Sequence, residues 1–143
     1  MKKKLNCVLL VDDNESDNFL HKRVLEKADI TDHIEIAMNG KEALEFLSSK
    51  EKCGKSGNSY SQPELIFLDI NMPVMDAWEF LEEYNKLDVN QKGNIVFIML
   101  TTSLNPADKT KAEKLLEGGC FYYKPLTLQV IADIMQQRFP DYH

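Results

Sequence analysis

Four apolar residues in a row, Leu65–Leu68, lead directly into a single aspartate, Asp69. The run lies between Pro63 and Pro73 and is too short for a buried helix, so it predicts a strand that is covered on both faces. Strands of this kind belong to parallel sheets with helices on both sides. Ligands bind beyond the carboxyl ends of such strands, which places Asp69 in a position for chemistry rather than for packing.

Other segments of strand length also end at polar residues. An apolar run over 5–11 ends at Asp12 and Asp13, a second over 95–100 ends at Thr101, and a third over 120–123 ends at Lys124. A shorter segment over 34–37 alternates apolar and polar residues and is predicted as a further strand. All these strand ends would meet at one edge of a parallel sheet.

Apolar residues recur at helical spacing between the predicted strands. The pattern predicts helices over about 16–28, around 43–47, from 78 to about 86, from 106 toward 116, and from 128 until Pro140. Asn105 followed by Pro106 is typical of a helix start, with a capping residue and then proline at the first helical position. Five strands alternating with five helices predict one α/β domain over residues 1–143, with a parallel sheet and right-handed crossovers. The polar stretch 48–62 predicts an exposed, flexible loop.

Composition and charge exclude several classes of function. The chain has 143 residues, which suits one domain, and a formal net charge of −6, which argues against direct binding of nucleic acid. The apolar segment after the basic start ends at Val11, so it is too short for a signal peptide or a membrane span, and we expect a cytoplasmic protein without membrane contact. Cys7, Cys53 and Cys120 form no C-x-x-C pair and are expected to be thiols rather than a disulfide framework or a zinc site.

The polar residues at the strand ends are best explained together. Alone, each aspartate has the ordinary role of a cap or turn, Thr101 that of a capping hydroxyl, and Lys124 that of a solvated charge. Gathered carboxylates repel one another and require positive charge among them. Mg²⁺ prefers such oxygen ligands, and Lys124 supplies a second cation. An ionised Asp69 held there can attack a phosphoryl group.

Four motifs in order resemble the receiver domain of bacterial two-component response regulators, over nearly the whole chain. They are Val-Asp-Asp-Asn at 11–14, Leu-Asp-Ile-Asn-Met-Pro-Val-Met-Asp at 68–76, Leu-Thr-Thr at 100–102, and Lys-Pro-Leu-Thr at 124–127. The resemblance implies a flavodoxin-like, doubly wound sheet of five parallel strands in the order 2-1-3-4-5, with five helices. It also implies phosphoryl transfer from a sensor histidine kinase or a histidine phosphotransfer protein.

The resemblance assigns roles at the metal and phosphoryl site. Asp69 matches the phosphoacceptor. Asp13, Asp69 and the backbone carbonyl of Asn71 match direct ligands of Mg²⁺ (or Mn²⁺), with Asp12 acting through water. Lys124 matches the lysine that pairs with the acceptor carboxylate and then with the phosphoryl group. The bond between Lys124 and Pro125 resembles the family's cis peptide.

Two further residues match the family's switch. Thr101 matches the switch hydroxyl, and Phe121 stands in the place of the switch aromatic without the hydroxyl of the commoner tyrosine. Reversing a 1:99 equilibrium requires about 5.5 kcal/mol. A charge-assisted hydrogen bond supplies about 1.5–3 kcal/mol and burial of a Phe side chain about as much. A phosphoryl group is therefore expected to reset a protein-binding face of the fourth helix, fifth strand and fifth helix, in a monomer or a phosphorylation-dependent dimer.

One departure from the family lies close to the acceptor. The family usually has glycine after the position of Asp76, and this chain has Ala77. Either the turn is shifted, or Ala77 adopts a backbone conformation that favours glycine and is mildly strained. The acceptor and metal residues are unchanged, so a phosphorylatable domain is still expected.

Two other functions are alternatives to that of a receiver. An aspartate-based phosphatase of the haloacid-dehalogenase type needs a second Asp as general acid at the position of Asn71. A phosphorylation-independent interaction module would not need Asp12, Asp13, Asp69, Thr101 and Lys124 together. No G-x-S-x-G or G-x-G-x-x-G motif indicates a serine hydrolase or a dinucleotide binder. We therefore expect a stand-alone receiver without an output domain, which catalyses only its own phosphorylation and dephosphorylation; a domain cut from a longer protein would look the same.

Overall fold

Five parallel strands form one sheet in the computed structural model, which describes residues 4–48, 63–87, 95–116 and 121–141. The strands are hydrogen-bonded in the order β2-β1-β3-β4-β5, which confirms the predicted fold class. In chain order they are β1 (Val8–Val11), β2 (Ile34–Ala37), β3 (Leu65–Leu68), β4 (Val96–Thr101) and β5 (Phe121–Tyr123).

A helix follows each strand along the chain. The helices are α1 (Glu15–Ala28), α2 (Gly40–Ser48), α3 (Ala77–Asn85), α4 (Pro106–Leu115) and α5 (Leu128–Arg138). Asn105 caps α4 ahead of Pro106, as the sequence predicted. Asn14 caps α1 by accepting from the N–H of Asp17. Most of the predicted loop 48–62 lies outside the described residues; Ser48 ends α2.

Alternate residues of the strands pack into two separate cores, because side chains along a strand point to opposite faces. Leu9, Ile66 and Leu68 lie in one core with residues of α2 and α3. The other core contains Leu10 and Phe67 with residues of α1 and α5. Both faces of β1 and β3 are therefore covered, and their carboxyl ends are the parts that remain near the surface.

The segment between β3 and α3 approaches α2 closely at Gly40. The Gly40 N–H donates to the carbonyl of Met75 at 2.9 Å. A Cβ added at Gly40 would lie 2.9 Å from that carbonyl oxygen and 2.9 Å from the Cβ of Phe80. Glycine at this position is thus required by space, and the contact fixes the path of the chain just beyond Asp69.

The backbone conformation at Ala77 differs from the strained alternative. Ala77 is fully buried as the first residue of α3, its N–H donates to the carbonyl of Ile70, and Asp76 caps the helix in a capping box with Glu79. The residue of this segment with positive φ is Val74, at 68°. Of the two alternatives, strain at Ala77 is therefore not the one found, and the unfavourable conformation lies three residues earlier, at Val74.

Cys7 corrects another expectation. It lies fully buried directly before β1 and takes part in a disulfide bond, so it is not the thiol that the sequence indicated. Cys53 and Cys120 lie outside the described residues. As for membranes, the described part of the chain contains no helix that is both long enough and apolar enough to cross a bilayer.

Candidate phosphoryl and metal site

Three carboxylates meet at the carboxyl edge of the sheet. Asp12 and Asp13 directly follow β1, and Asp69 directly follows β3, its neighbour in the sheet. One carboxylate oxygen from each lies within 4.8 Å of the others. The N–H of Asp12 donates to Ala37 at 3.1 Å and that of Asp69 to Val11 at 2.9 Å, so the sheet ladder continues into the site and fixes both backbones.

The three carboxylates differ in exposure. Asp12 is buried, Asp69 is half-buried and Asp13 is exposed. Their oxygens are the hard ligands that Mg²⁺ prefers, and the exposed side of the cluster leaves room for the water ligands that Mg²⁺ keeps. The donor set therefore fits a divalent cation of this type.

Lys124 brings a cation to the same cluster from the end of β5. Its Nζ lies 2.6 Å from Asp12 and 2.7 Å from Asp17, and its side chain is only 9% exposed. The third carboxylate, that of Asp69, is 3.7 Å away. The sequence led us to expect the lysine to pair with Asp69; in this structure its hydrogen bonds go to Asp12 and Asp17.

Asp17 is a member of the site that the sequence did not indicate. It lies in the first turn of α1, and its side chain reaches a lysine that is 107 residues away in the sequence. The sequence does show that an aspartate stands in the first turn of a helix, and that this helix begins just after the acidic end of β1. The direction of that first turn decides the contact, and apolar spacing does not reveal it.

Burial and the neighbouring charges affect Asp69 and Lys124 in different ways. Burial, and then the negative charge of Asp12, raise the pKa of Asp69 to about 6, although Lys124 and the N–H of Ile70 oppose the change. The pKa of Lys124 is raised: burial lowers it, and the hydrogen bonds that its ammonium donates to Asp12 and Asp17 outweigh that effect. Lys124 is thus a fixed cation at neutral pH, whereas Asp69 without a metal is only partly stabilised as an anion.

Thr101 and Phe121 lie on the β4–β5 side of the site. Thr101 is buried at the end of β4, and its hydroxyl oxygen accepts from the N–H of Ser103 at 3.1 Å. Its carbonyl accepts from the N–H of Lys124 at 2.9 Å, so the two strand ends are joined next to the site. Phe121 is half-buried, and its ring packs edge-on against that of Tyr123 at 5.4 Å.

Two other predicted features are present at the site's edge. The peptide bond between Lys124 and Pro125 is cis. Asn71 is exposed, two residues beyond Asp69 in the segment that leads to α3. The structure therefore brings Asp12, Asp13, Asp69 and Lys124 together, and places Thr101, Phe121 and Asn71 on segments adjoining them.

A small cavity lies beneath the carboxylates and is lined by Asn18, His21 and both Asp12 and Asp69. The Nδ2 of Asn18 donates to the carbonyl of Asp12 at 2.8 Å, which holds the end of β1 against α1. Burial lowers the pKa of His21, with the charge of Lys124 adding to the effect. A neutral His21 adds no charge to the site at pH 7.

Comparison with known proteins agrees with this geometry. Residues 8–136 match the family of response regulator receiver domains. The chain is 33% identical over 129 residues to the response regulator Rcp1 of Synechocystis, covering 90% of this chain and 83% of that protein.

Solved structures show the same architecture. A two-component response regulator from Cytophaga hutchinsonii has a TM-score of 0.76 and 25% identity, covering 94% of this chain and 97% of its own. The phosphorylated cyanobacterial phytochrome response regulator RcpA has a TM-score of 0.68 and 29% identity, with coverage of 92% and 90%. With its strand order, its acidic cluster and its family match over residues 8–136, this chain belongs to the receiver domains of two-component response regulators.

Proposed function

We propose that this receiver accepts a phosphoryl group on Asp69, in a reaction that depends on Mg²⁺ or Mn²⁺. The donor would be the phosphohistidine of a sensor histidine kinase or of a histidine phosphotransfer protein. The observation that carries the proposal is the meeting of three carboxylates and one largely covered lysine at the carboxyl edge of the sheet. Asp12, Asp13, Asp69 and the carbonyl of Asn71 are the groups proposed to hold the cation.

The proposed transfer is a displacement at phosphorus. A carboxylate oxygen of Asp69 forms a bond to phosphorus, the bond from phosphorus to the histidine nitrogen breaks, and the leaving nitrogen takes a proton from solvent water. The product is an aspartyl phosphate. When bound, a divalent cation neutralises oxygens of the transferring group and favours the ionised form of Asp69.

Lys124 has a separate part in this proposal. Its ammonium lies on the side of Asp12 and Asp17, within 3.7 Å of Asp69, so a short movement of a flexible side chain brings it to a phosphoryl oxygen. It would then form a charge-assisted hydrogen bond that is absent before transfer. The lysine thus stabilises the phosphorylated state more than the free one.

The signal is proposed to pass through Thr101 and Phe121. The Thr101 hydroxyl is buried at the end of β4, next to Lys124, and would donate to the phosphoryl group. Phe121 would then move further into the space next to β4. The surface of α4, β5 and α5 would change in consequence and bind a downstream protein, in a monomer or in a phosphorylation-dependent dimer. Receiver domains are in general switches rather than enzymes, and we propose that this one acts on no substrate beyond its own acceptor.

Intact-mass measurement after incubation with acetyl phosphate and Mg²⁺ tests the acceptor. The wild type is expected to gain one phosphoryl mass and Asp69→Asn none. Asp76→Asn is a matched control, because it makes the same change seven residues away and asparagine is also a good helix cap. No gain in the wild type would contradict the proposal and would favour a phosphorylation-independent module.

Thr101 is tested by the spectrum of the switch region. Backbone amide signals of β5 and α4 are expected to shift when the wild type binds Mg²⁺ and beryllium trifluoride, an anion that mimics a phosphoryl group on a carboxylate. In Thr101→Ala these shifts should shrink strongly, whereas Thr101→Ser, which keeps the hydroxyl, should retain them. Equal shifts in all three proteins would show that Thr101 does not couple the site to that face.

A further inference from the structure

Lys124 is shared between two carboxylates that are not the proposed acceptor. Asp12 lies at 2.6 Å and Asp17 at 2.7 Å, and both distances are those of charge-assisted hydrogen bonds. Asp12 belongs to the metal and phosphoryl cluster, but Asp17 is absent from it. Asp17 is on a helix, with its side chain 30% exposed, and holds the lysine from outside the cluster.

An ammonium group has three protons to donate. Two of them are engaged by Asp12 and Asp17, and Asp69 at 3.7 Å is beyond hydrogen-bond distance. A phosphoryl group on Asp69 would add strong acceptor oxygens close to the same nitrogen. The third proton is free to donate to these oxygens, but a closer approach of the nitrogen to them would lengthen its hydrogen bond to Asp17. The new acceptor and Asp17 would therefore compete for the position of one cation.

We propose that Asp17 is a positioning residue that holds Lys124 away from Asp69 in the unphosphorylated protein and opposes the lysine's contact with a phosphoryl group. This inference rests on the proposed function, since it concerns the same phosphoryl site. In this role Asp17, which lies outside the three-carboxylate cluster, acts on the phosphoryl site through Lys124. Its effect is to bias the site toward the unphosphorylated state.

The first test concerns the lysine in the metal-free protein. The ¹⁵N resonance of the Lys124 Nζ, assigned by its loss in Lys124→Arg, is compared in wild type, Asp17→Asn, Asp17→Glu and Glu15→Gln. Glu15 is the matched control, because it is acidic, lies in the same first turn and forms no ion pair with any residue that the structure describes. The resonance is expected to shift in Asp17→Asn, to remain in place in Glu15→Gln, and to return toward the wild-type position in Asp17→Glu.

The second test measures binding of beryllium trifluoride in saturating Mg²⁺ by calorimetry. Asp17→Asn is expected to bind this anion about two- to fivefold more tightly than wild type, the range expected from the loss of one partly exposed ion pair. Glu15→Gln removes the same charge from the same turn and is expected to match wild type. A role of Asp17 in helix stability alone would change the melting temperature without changing this affinity.

The two tests separate this inference from the proposed function. Equal affinities for Asp17→Asn and Glu15→Gln, or weaker binding by Asp17→Asn, would overturn the role of Asp17 even if Asp69 is phosphorylated. An unchanged Nζ resonance in Asp17→Asn would overturn it as well. Failure of the wild type to bind beryllium trifluoride would instead contradict the phosphoryl site, and the Nζ comparison would still decide whether Asp17 holds the lysine.

Discussion

The Lys124 ammonium and the Asp69 carboxylate lie 3.7 Å apart, an ion-pair distance that is too long for a hydrogen bond. Asp69 is therefore only partly compensated by the cation beside it. Burial and the charge of Asp12 prevail, and the pKa of Asp69 rises to about 6. Several measurable properties follow from this balance and from the backbone around it.

Stability of the metal-free protein is expected to depend on pH through Asp69. In the folded chain Asp69 takes up a proton at about pH 6, whereas in the unfolded chain it does so near pH 4. Protonation of Asp69 in the folded chain therefore stabilises the fold, fully below pH 4, and this contribution to the free energy of unfolding is lost as pH rises through 6. Asparagine at position 69 mimics the protonated acid. The free energy of unfolding of Asp69→Asn, relative to that of the wild type, should therefore increase by about 2–3 kcal/mol as pH rises from 4 to 8.

Urea unfolding of both proteins in the presence of a chelator measures that difference. Saturating Mg²⁺ at pH 7 should reduce it, because the cation stabilises the ionised carboxylate of the wild type. A difference in unfolding free energy that stays constant across this pH range would show that Asp69 has no raised pKa.

Mg²⁺ is expected to raise the melting temperature of the wild type, since a ligand that binds only the folded state stabilises it, by about 2.7 kcal/mol at a hundred times its Kd. Asp13→Asn should abolish the effect, because Asp13 is an exposed member of the three-carboxylate cluster. Glu15→Gln, two residues further along, should retain it. Titration calorimetry of the three proteins with MgCl₂ checks this, and full Mg²⁺ affinity in Asp13→Asn would count against the proposed site.

Gly40→Ala is expected to destabilise the fold by about 1–3 kcal/mol, the usual cost of forcing an atom into a packed site. The added Cβ would meet the Met75 carbonyl oxygen and the Phe80 Cβ at 2.9 Å, and neither can move aside easily. Lys41→Ala, at the exposed next position, should change stability by less than about 0.5 kcal/mol. Chemical unfolding measures the free energies of unfolding of the two variants. Equal values would mean that the segment after β3 can shift to make room for the added Cβ.

Val74→Gly is expected to stabilise the protein by about 0.5–1 kcal/mol. Val74 is β-branched, 73% exposed and has a φ of 68°, a conformation that costs about 1–2 kcal/mol for residues with a Cβ. Part of the gain is offset, because glycine has more freedom in the unfolded chain. Val74→Ala keeps the Cβ and should gain less. Thermal unfolding distinguishes them, and a lower melting temperature for Val74→Gly would show that the Val74 side chain makes favourable contacts.

The architecture was predictable because its signals are local. Short apolar runs and helical spacing along the chain indicated alternating strands and helices, and the polar strand ends indicated one rim. The motif around Asp69 supplied the family and with it the strand order, which the structure confirms. The continuous burial of Leu65–Leu68 in particular follows from a strand covered on both faces.

Features that depend on the relative placement of distant segments were not predictable in the same way. The contact of Asp17 with Lys124 depends on the direction in which α1 leaves the sheet. Ala77 occupies the first position of a capped helix, so the positive φ falls on Val74 instead. The disulfide bond of Cys7 likewise could not be predicted from the spacing of the cysteines.

Lys124 and the three carboxylates of this site follow strands that differ in how firmly they are held in the sheet. β1 and β3 each have a neighbour on both sides, whereas in the described part of the chain β5 has three residues and pairs with β4 alone. Fraying of that outermost strand would withdraw Lys124 and leave Asp12, Asp13 and Asp69 facing one another without its positive charge. Cations from solution would then have to neutralise the three carboxylates. A divalent cation bound at the sheet edge and a paired β5 that holds Lys124 in place are therefore two alternative ways of neutralising the same charges.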